Sequence, residues 1–154
     1  MYRAFLILLT CLVGFSSSTL AGDRATMDEA KAMAVRGAEY LKANGLEKAA
    51  AAFNDASNKE FRDRDLYVFV FENNGVSRIF PPAPKTVNRD ATRLKDVDGK
   101  YFIKDFVAAK EPTWIDYKWK NVQSGKVEQK SSYVIPVQSG GVDYVVGVGA
   151  YKAN

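Results

Sequence analysis

Leu66-Tyr67-Val68-Phe69-Val70-Phe71, followed after two residues by Asn74-Gly75, is the stretch on which the fold turns. Six consecutive β-prone residues that are apolar on both faces predict a strand covered on both sides. Asn-Gly predicts a tight hairpin, because both residues tolerate positive φ, with Val76 to Phe80 as the returning strand. Pro81, Pro82 and Pro84 then stop regular structure.

Upstream, Thr26-Met27-Asp28-Glu29 has the form of a capping box. It predicts a helix running to about Asn44, with Met27, Ala30, Ala34 and Leu41 in an apolar stripe beside Met33 and Tyr40. Asn44-Gly45 predicts its end, and Leu46 to Phe53 a second, alanine-rich helix. Residues 54–65 read as a polar loop. Downstream, Lys85 to Gly99 is a charged loop, and Lys100 to Lys110 a helix with Phe102, Ile103, Phe106 and Val107 on one face. Trp114 to Trp119, Val127 to Gln138 and Val142 to Lys152 read as three strands joined by turns at 121–125 and at Gly140-Gly141. Pro136 predicts a bulge or an edge position. The order α-α-β-β-α-β-β-β makes one α+β domain, an antiparallel sheet with helices packed on it.

The 154 residues include one cysteine and no histidine. Ser-His-Asp and Cys-His catalysis are excluded, as are zinc sites built on imidazole. One cysteine cannot form an internal disulfide. A net charge of +4, from 22 basic and 18 acidic residues, is too mild for nucleic acid as the main partner.

Residues 1–21, MYRAFLILLTCLVGFSSSTLA, read as an export signal: Arg3, then an apolar run from Ala4 to Phe15, then small polar residues ending at Ala21. Twelve apolar residues fall short of the roughly 20 that span a bilayer. Cys11 sits inside that run behind Thr10, which does not suit a lipid attachment site, and is expected to leave with the signal. The expectation is a periplasmic or secreted domain over residues 22–154, with no membrane span after cleavage.

Two motifs carry little. Asp96-Val97-Asp98-Gly99 would align as a calcium loop only with Leu94 first and Asp105 last, and neither can serve there. It reads as an Asp-Gly turn before a helix. Gly147-Val148-Gly149 has no following helix, so it reads as strand glycines that let another backbone or a ligand approach closely. The aromatic strands say more. Alternation sets Ile115, Tyr117 and Trp119 on one face, and Trp114, Asp116 and Lys118 on the other. On the next strand Lys130, Ser132 and Val134 oppose Ser131, Tyr133 and Ile135. A lysine beside phenol and indole donors, in a pocket under the 102–107 helix, could hold a small carboxylate, although exposed lysine is the default.

Four segments in order resemble the single Cache family, specifically the single Cache 2 type of extracytoplasmic sensor. They are 66–75, Leu94-Lys95-Asp96-Val97-Asp98-Gly99-Lys100-Tyr101-Phe102-Ile103, the block from Trp114 to Trp119 with 125–134, and 143–152. The resemblance implies a Cache/PAS-like fold: a long N-terminal helix on an antiparallel sheet of about five strands, with a covering helix. It implies binding of small ligands, often organic acids, between the sheet and its cover. It makes Tyr117, Trp119, Lys130 and Tyr133 pocket candidates, with Phe69 below them and Phe102 above. Phe80, in Ile79-Phe80-Pro81-Pro82, stands where the family often has a histidine, so this site is expected to be more apolar.

The expected function is extracytoplasmic binding or sensing of an organic acid, without catalysis, metal or cofactor. The sequence shows no second membrane segment and no output domain, so a membrane receptor or histidine kinase acting in trans is the expected signalling partner. Two other readings stay open. One is a ligand-free accessory protein that docks on such a receptor or kinase. The other is a ketosteroid-isomerase-like enzyme with Asp116 as base.

Overall fold

A computed structural model describes residues 24–152. The export signal, Cys11 included, lies outside the described residues. Helix α1 (Met27–Asn54) begins with the capping box: Glu29 N–H donates to Thr26 Oγ1, and Thr26 N–H donates to Glu29 Oε2 at 2.7 Å. The two expected helices are both there, joined across a kink at Gly45, whose φ of 78° and ψ of 170° lie outside the helical region. Gly45 therefore ends the first helical segment, as Asn44-Gly45 predicts, and the second starts directly after it. The buried stripe Ala30, Met33, Ala34, Gly37, Ala38 and Leu41 has helical spacing and faces the sheet.

The strands are β1 (Arg62–Asp63), β2 (Leu66–Glu72), β3 (Ser77–Ile79), β4 (Thr113–Lys120), β5 (Val127–Ser139) and β6 (Val142–Tyr151). Helix α2 (Phe102–Ala108) lies between β3 and β4, after a single helical turn at Pro84–Thr86. Neighbours in the sheet run β1-β2-β6-β5-β4, all antiparallel, with β3 pairing β2. Strand β2 thus lies beside the last strand β6, which covers the edge that the first hairpin would leave open. Strand β1 falls in the segment expected as loop; at two residues it is too short to carry a pattern. At the first hairpin only Gly75 takes a positive φ, 87°, and Asn74 does not. Pro136 pairs with Val145 on β6 but lies past Val134, the last β5 residue paired to β4. Its missing N–H therefore faces a side where no strand asks for it.

Alternation divides the sheet into two faces. Leu66, Val68, Val70, Ile79, Val146 and Val148 pack against α1. Tyr67, Phe69, Phe71, Tyr117, Val134 and Val145 face α2. Asp96 fixes the loop that leads into α2. Its Oδ1 accepts the N–H groups of Asp98 and Lys100 at 3.0 and 2.9 Å, and its Oδ2 accepts that of Lys118 at 3.0 Å. Despite its burial, these three backbone bonds hold the carboxyl below its ordinary value of 3.8. The Asp-Gly turn thereby caps β4, an edge strand with an otherwise open N–H.

Candidate functional site

The α2 face encloses a cavity of about 440 Å³. Strand β2 contributes Tyr67, Phe69 and Phe71; β4 contributes Tyr117 and Trp119; α2 contributes Phe102, Ile103 and Phe106. Phe80 and the loop from Ala83 to Leu94 close the remaining side, with Arg89, Asp90 and Arg93 exposed at the mouth. The cavity follows from residue size. Rings on β2 and β4 meet rings on a two-turn helix, and they stack on one another without filling the space. Phe102 lies flat on Tyr117 with centroids 4.3 Å apart, and Phe106 flat on Phe69 at 5.3 Å. Phe102 and Phe106, four residues apart, present both rings from one side of α2.

Lys130 does not line the cavity but lies beneath it, directly opposite Tyr117 in the β4–β5 register, and is fully buried. Its Nζ donates to Tyr67 Oη at 2.9 Å and to Tyr151 Oη at 3.5 Å. It stands 4.5 and 4.6 Å from the centroids of the same two rings. Among the described residues it has no carboxylate partner. Its aliphatic stem runs through space left by Gly149, where a Cβ would overlap Lys130 Cε and Ser132 Oγ. Gly147 does the same for the Phe69 ring. These glycines do permit close approach, but what approaches is neither another backbone nor a ligand: it is the chain's own Phe69, Lys130 and Ser132 side chains.

The phenols are donors at neutral pH. Burial pushes Tyr67 upward, aided by the charge of Asp65. Burial also pushes Tyr117 upward against the opposing charge of Lys130, and raises Tyr151 to about 12. Tyr151 Oη donates to Lys120 O at 2.9 Å, and Tyr117 Oη pairs with Ser132 Oγ at 2.9 Å. Tyr67 Oη accepts from Lys130, and its own proton has no acceptor among the described residues.

Five of the sequence candidates, Phe69, Phe80, Phe102, Tyr117 and Trp119, line one cavity. Lys130 lies beneath them, behind Tyr67. Tyr133 is a correction: it lies on the α1 face, its ring 5.0 Å from Trp114 and 5.3 Å from Lys31 Nζ. The period of two that puts Lys130 in the floor sends Tyr133, three residues on, to the far side. Asp116 is exposed, bonded to Ser131 and paired with Lys152 at 2.8 Å. That removes it as a base facing the cavity. Tyr67, Phe71 and Phe106 went unassigned, although alternation from Phe69 and helical spacing from Phe102 place all three. Tyr151 and Ser77 needed the strand register. No group of three His, Cys, Asp or Glu side chains among the described residues could hold a metal ion.

A family model described as "Single Cache domain 2" matches residues 23–154. No curated protein sequence matches the chain. Among solved structures, a methyl-accepting chemotaxis protein from Vibrio parahaemolyticus RIMD 2210633 superposes with a TM-score of 0.68 at 19% identity, over 80% of this chain and 86% of its own. A periplasmic sensor domain of a chemotaxis protein gives 0.62 at 21%, over 82% and 90%. A Cache chemosensory domain described for its recognition of carboxylic acid gives 0.61 at 22%, over 78% and 84%. These likenesses show the shared fold.

Proposed function

The chain belongs to the single Cache domain 2 family of extracytoplasmic sensor domains, and on that premise we propose that its cavity binds an organic acid. One observation carries this reading: Lys130 is fully buried under the cavity floor and, among the described residues, has no carboxylate within ion-pair distance. A buried charge is costly unless paired, and an anion in the cavity would supply the missing charge at short range and low dielectric. Tyr67 couples the two. Its oxygen accepts from Lys130, and its proton is available to a carboxylate oxygen in the cavity. The carboxylic acid recognised by one structural relative is consistent with this assignment. An aromatic cavity open at a polar mouth also supports a ligand-binding domain over a ligand-free accessory protein, which needs no such space.

The test is thermal. A ligand that binds only the folded state raises the melting temperature. Acids from a broad panel are expected to raise it, and Lys130→Met to abolish the rise. The reading fails if no acid shifts the transition, or if the variant keeps the shift. Export belongs to the same proposal. Mass spectrometry of the protein from envelope fractions should find Gly22 at its N-terminus, and a chain still starting at Met1 would refute cleavage. Among the described residues no helix is long and apolar enough to cross a membrane.

A further inference from the structure

The cavity wall says which acid. Resting on the acid-binding reading, we infer that the ligand is a ring-bearing monocarboxylate with one polar substituent at the end remote from its carboxylate, and not an acid of two to four carbons. Three observations point this way.

The first is size. A cavity of about 440 Å³ suits a ligand of roughly ten or more non-hydrogen atoms. A two-carbon acid on Tyr67 would leave most of the walls facing water.

The second is surface. Phe69, Phe71, Phe102, Phe106 and Trp119 form the walls, and they offer flat faces and edges to a ring. A citrate-like acid would bring several charges against these rings, whereas the cations that line the cavity, Arg89 and Arg93, stand at its mouth.

The third is a second unsatisfied polar group. Ser77 lines the cavity and is 2% exposed, and its Oγ has no hydrogen-bond partner among the described residues. A buried hydroxyl without a partner costs free energy, and it marks where a ligand's polar atom belongs. Ser77 pairs directly with Phe71 across the β2–β3 ladder, so it shares the cavity face. Tyr67 stands four residues from Phe71 on β2, which at the strand rise places the two positions roughly 13 Å apart along one wall. Phe69 and Phe71 fill the wall between them. A ligand reaching both ends is extended, with a carboxylate at Tyr67, an apolar ring over the phenylalanines, and a hydroxyl or amino group at Ser77.

The experiment is a fluorescence titration of Trp119, checked by calorimetry, with four probes: 3-(4-hydroxyphenyl)propionate, 3-phenylpropionate, acetate and citrate. Trp114 is on the other face; a Trp114→Phe background isolates the cavity indole. Both aryl acids are expected to bind at least about tenfold tighter than acetate or citrate, the lower end of what burying one phenyl ring is worth. The hydroxyl-bearing acid is expected to exceed the unsubstituted one by about tenfold. Ser77→Ala should erase that second preference and leave 3-phenylpropionate binding unchanged, which also reports that the variant is folded. Equal or tighter binding of acetate or citrate overturns the inference and leaves acid binding standing. A hydroxyl preference that survives Ser77→Ala overturns the role of Ser77. Failure of all four probes, together with a silent broad acid panel, overturns the acid-binding reading and this inference with it.

Discussion

The two faces of the sheet are built from the same strands and differ in nearly everything else. Against α1, small and branched residues interdigitate: Gly37 brings the helix so close that an added Cβ would stand 3.0 Å from a Val68 methyl. Against α2, the alternate residues are rings over a short helix, and they enclose space. The closed face has no buried charge from its strands, and the open face has Lys130. Neighbouring residues of one backbone thus serve different ends. Leu66, Val68 and Val70 supply stability, and Tyr67, Phe69 and Phe71 supply a surface for something else to complete.

Truncation separates the faces most sharply. Leu41, fully buried on the sheet-facing side of α1, should cost about 3 kcal/mol as Leu41→Ala, the usual toll of a cavity opened in a packed core. Phe80→Ala, at a wall that already borders space, should cost less than about 1.5 kcal/mol in chemical denaturation. Equal losses would mean that the two faces are packed alike. Lys130→Met inverts the usual sign. Replacing a buried, unpaired ammonium by an apolar side chain of similar length should raise the unfolding free energy of the ligand-free protein by about 2 kcal/mol while abolishing acid binding. A destabilised Lys130→Met would show that the ammonium is a structural strut.

Asp96 tests the edge of the open face. Asp96→Asn keeps one acceptor and sets an amide where Lys118 N–H needs an oxygen, at a cost of about 1 to 2 kcal/mol. The pH dependence follows from its lowered pKa. The folded carboxyl ionises below the unfolded value of 3.8, so its stabilisation is complete above that value. It is lost as pH falls through the folded pKa. Urea titrations from pH 6 down to 2.5 should show the wild type converging on Asp96→Asn, and parallel curves would refute this linkage. The smallest effect is expected at Tyr133. Tyr133→Leu should leave acid affinity within about twofold, because the ring packs between Trp114 and Lys31 on the closed face. A large loss would place ligand on the wrong side of the sheet.

Much of this architecture is legible in the residues, and the gaps share one cause. Local chemistry marks the capping box, the Asp96 turn, the long strands and the α2 stripe, because each is a pattern within a few residues. The break at Gly45 is legible in the same way, but the direction of the second helical segment is not, since that depends on what it packs on. Here Phe53 packs on Tyr40 and Phe61 with centroids 5.9 and 4.7 Å apart, and holds the second segment in line. The cavity rings were half legible. Phe69, Phe102 and Tyr117 come from alternation or resemblance, whereas Ser77 and Tyr151 join the site only through pairings with β2 and β5. Tyr133 shows the opposite failure, an attractive residue type assigned against its own strand parity.

Gly147 and Gly149 contribute no side-chain atom to the cavity, yet Phe69 and Lys130 occupy the space they leave. In a saturation mutagenesis of this chain, both positions should tolerate almost nothing, while several residues that touch ligand accept conservative change. A census of the site by contact would omit them. For anyone retargeting this scaffold to a new acid, the floor is set first by two absences on β6, and the choice of rings above it comes second.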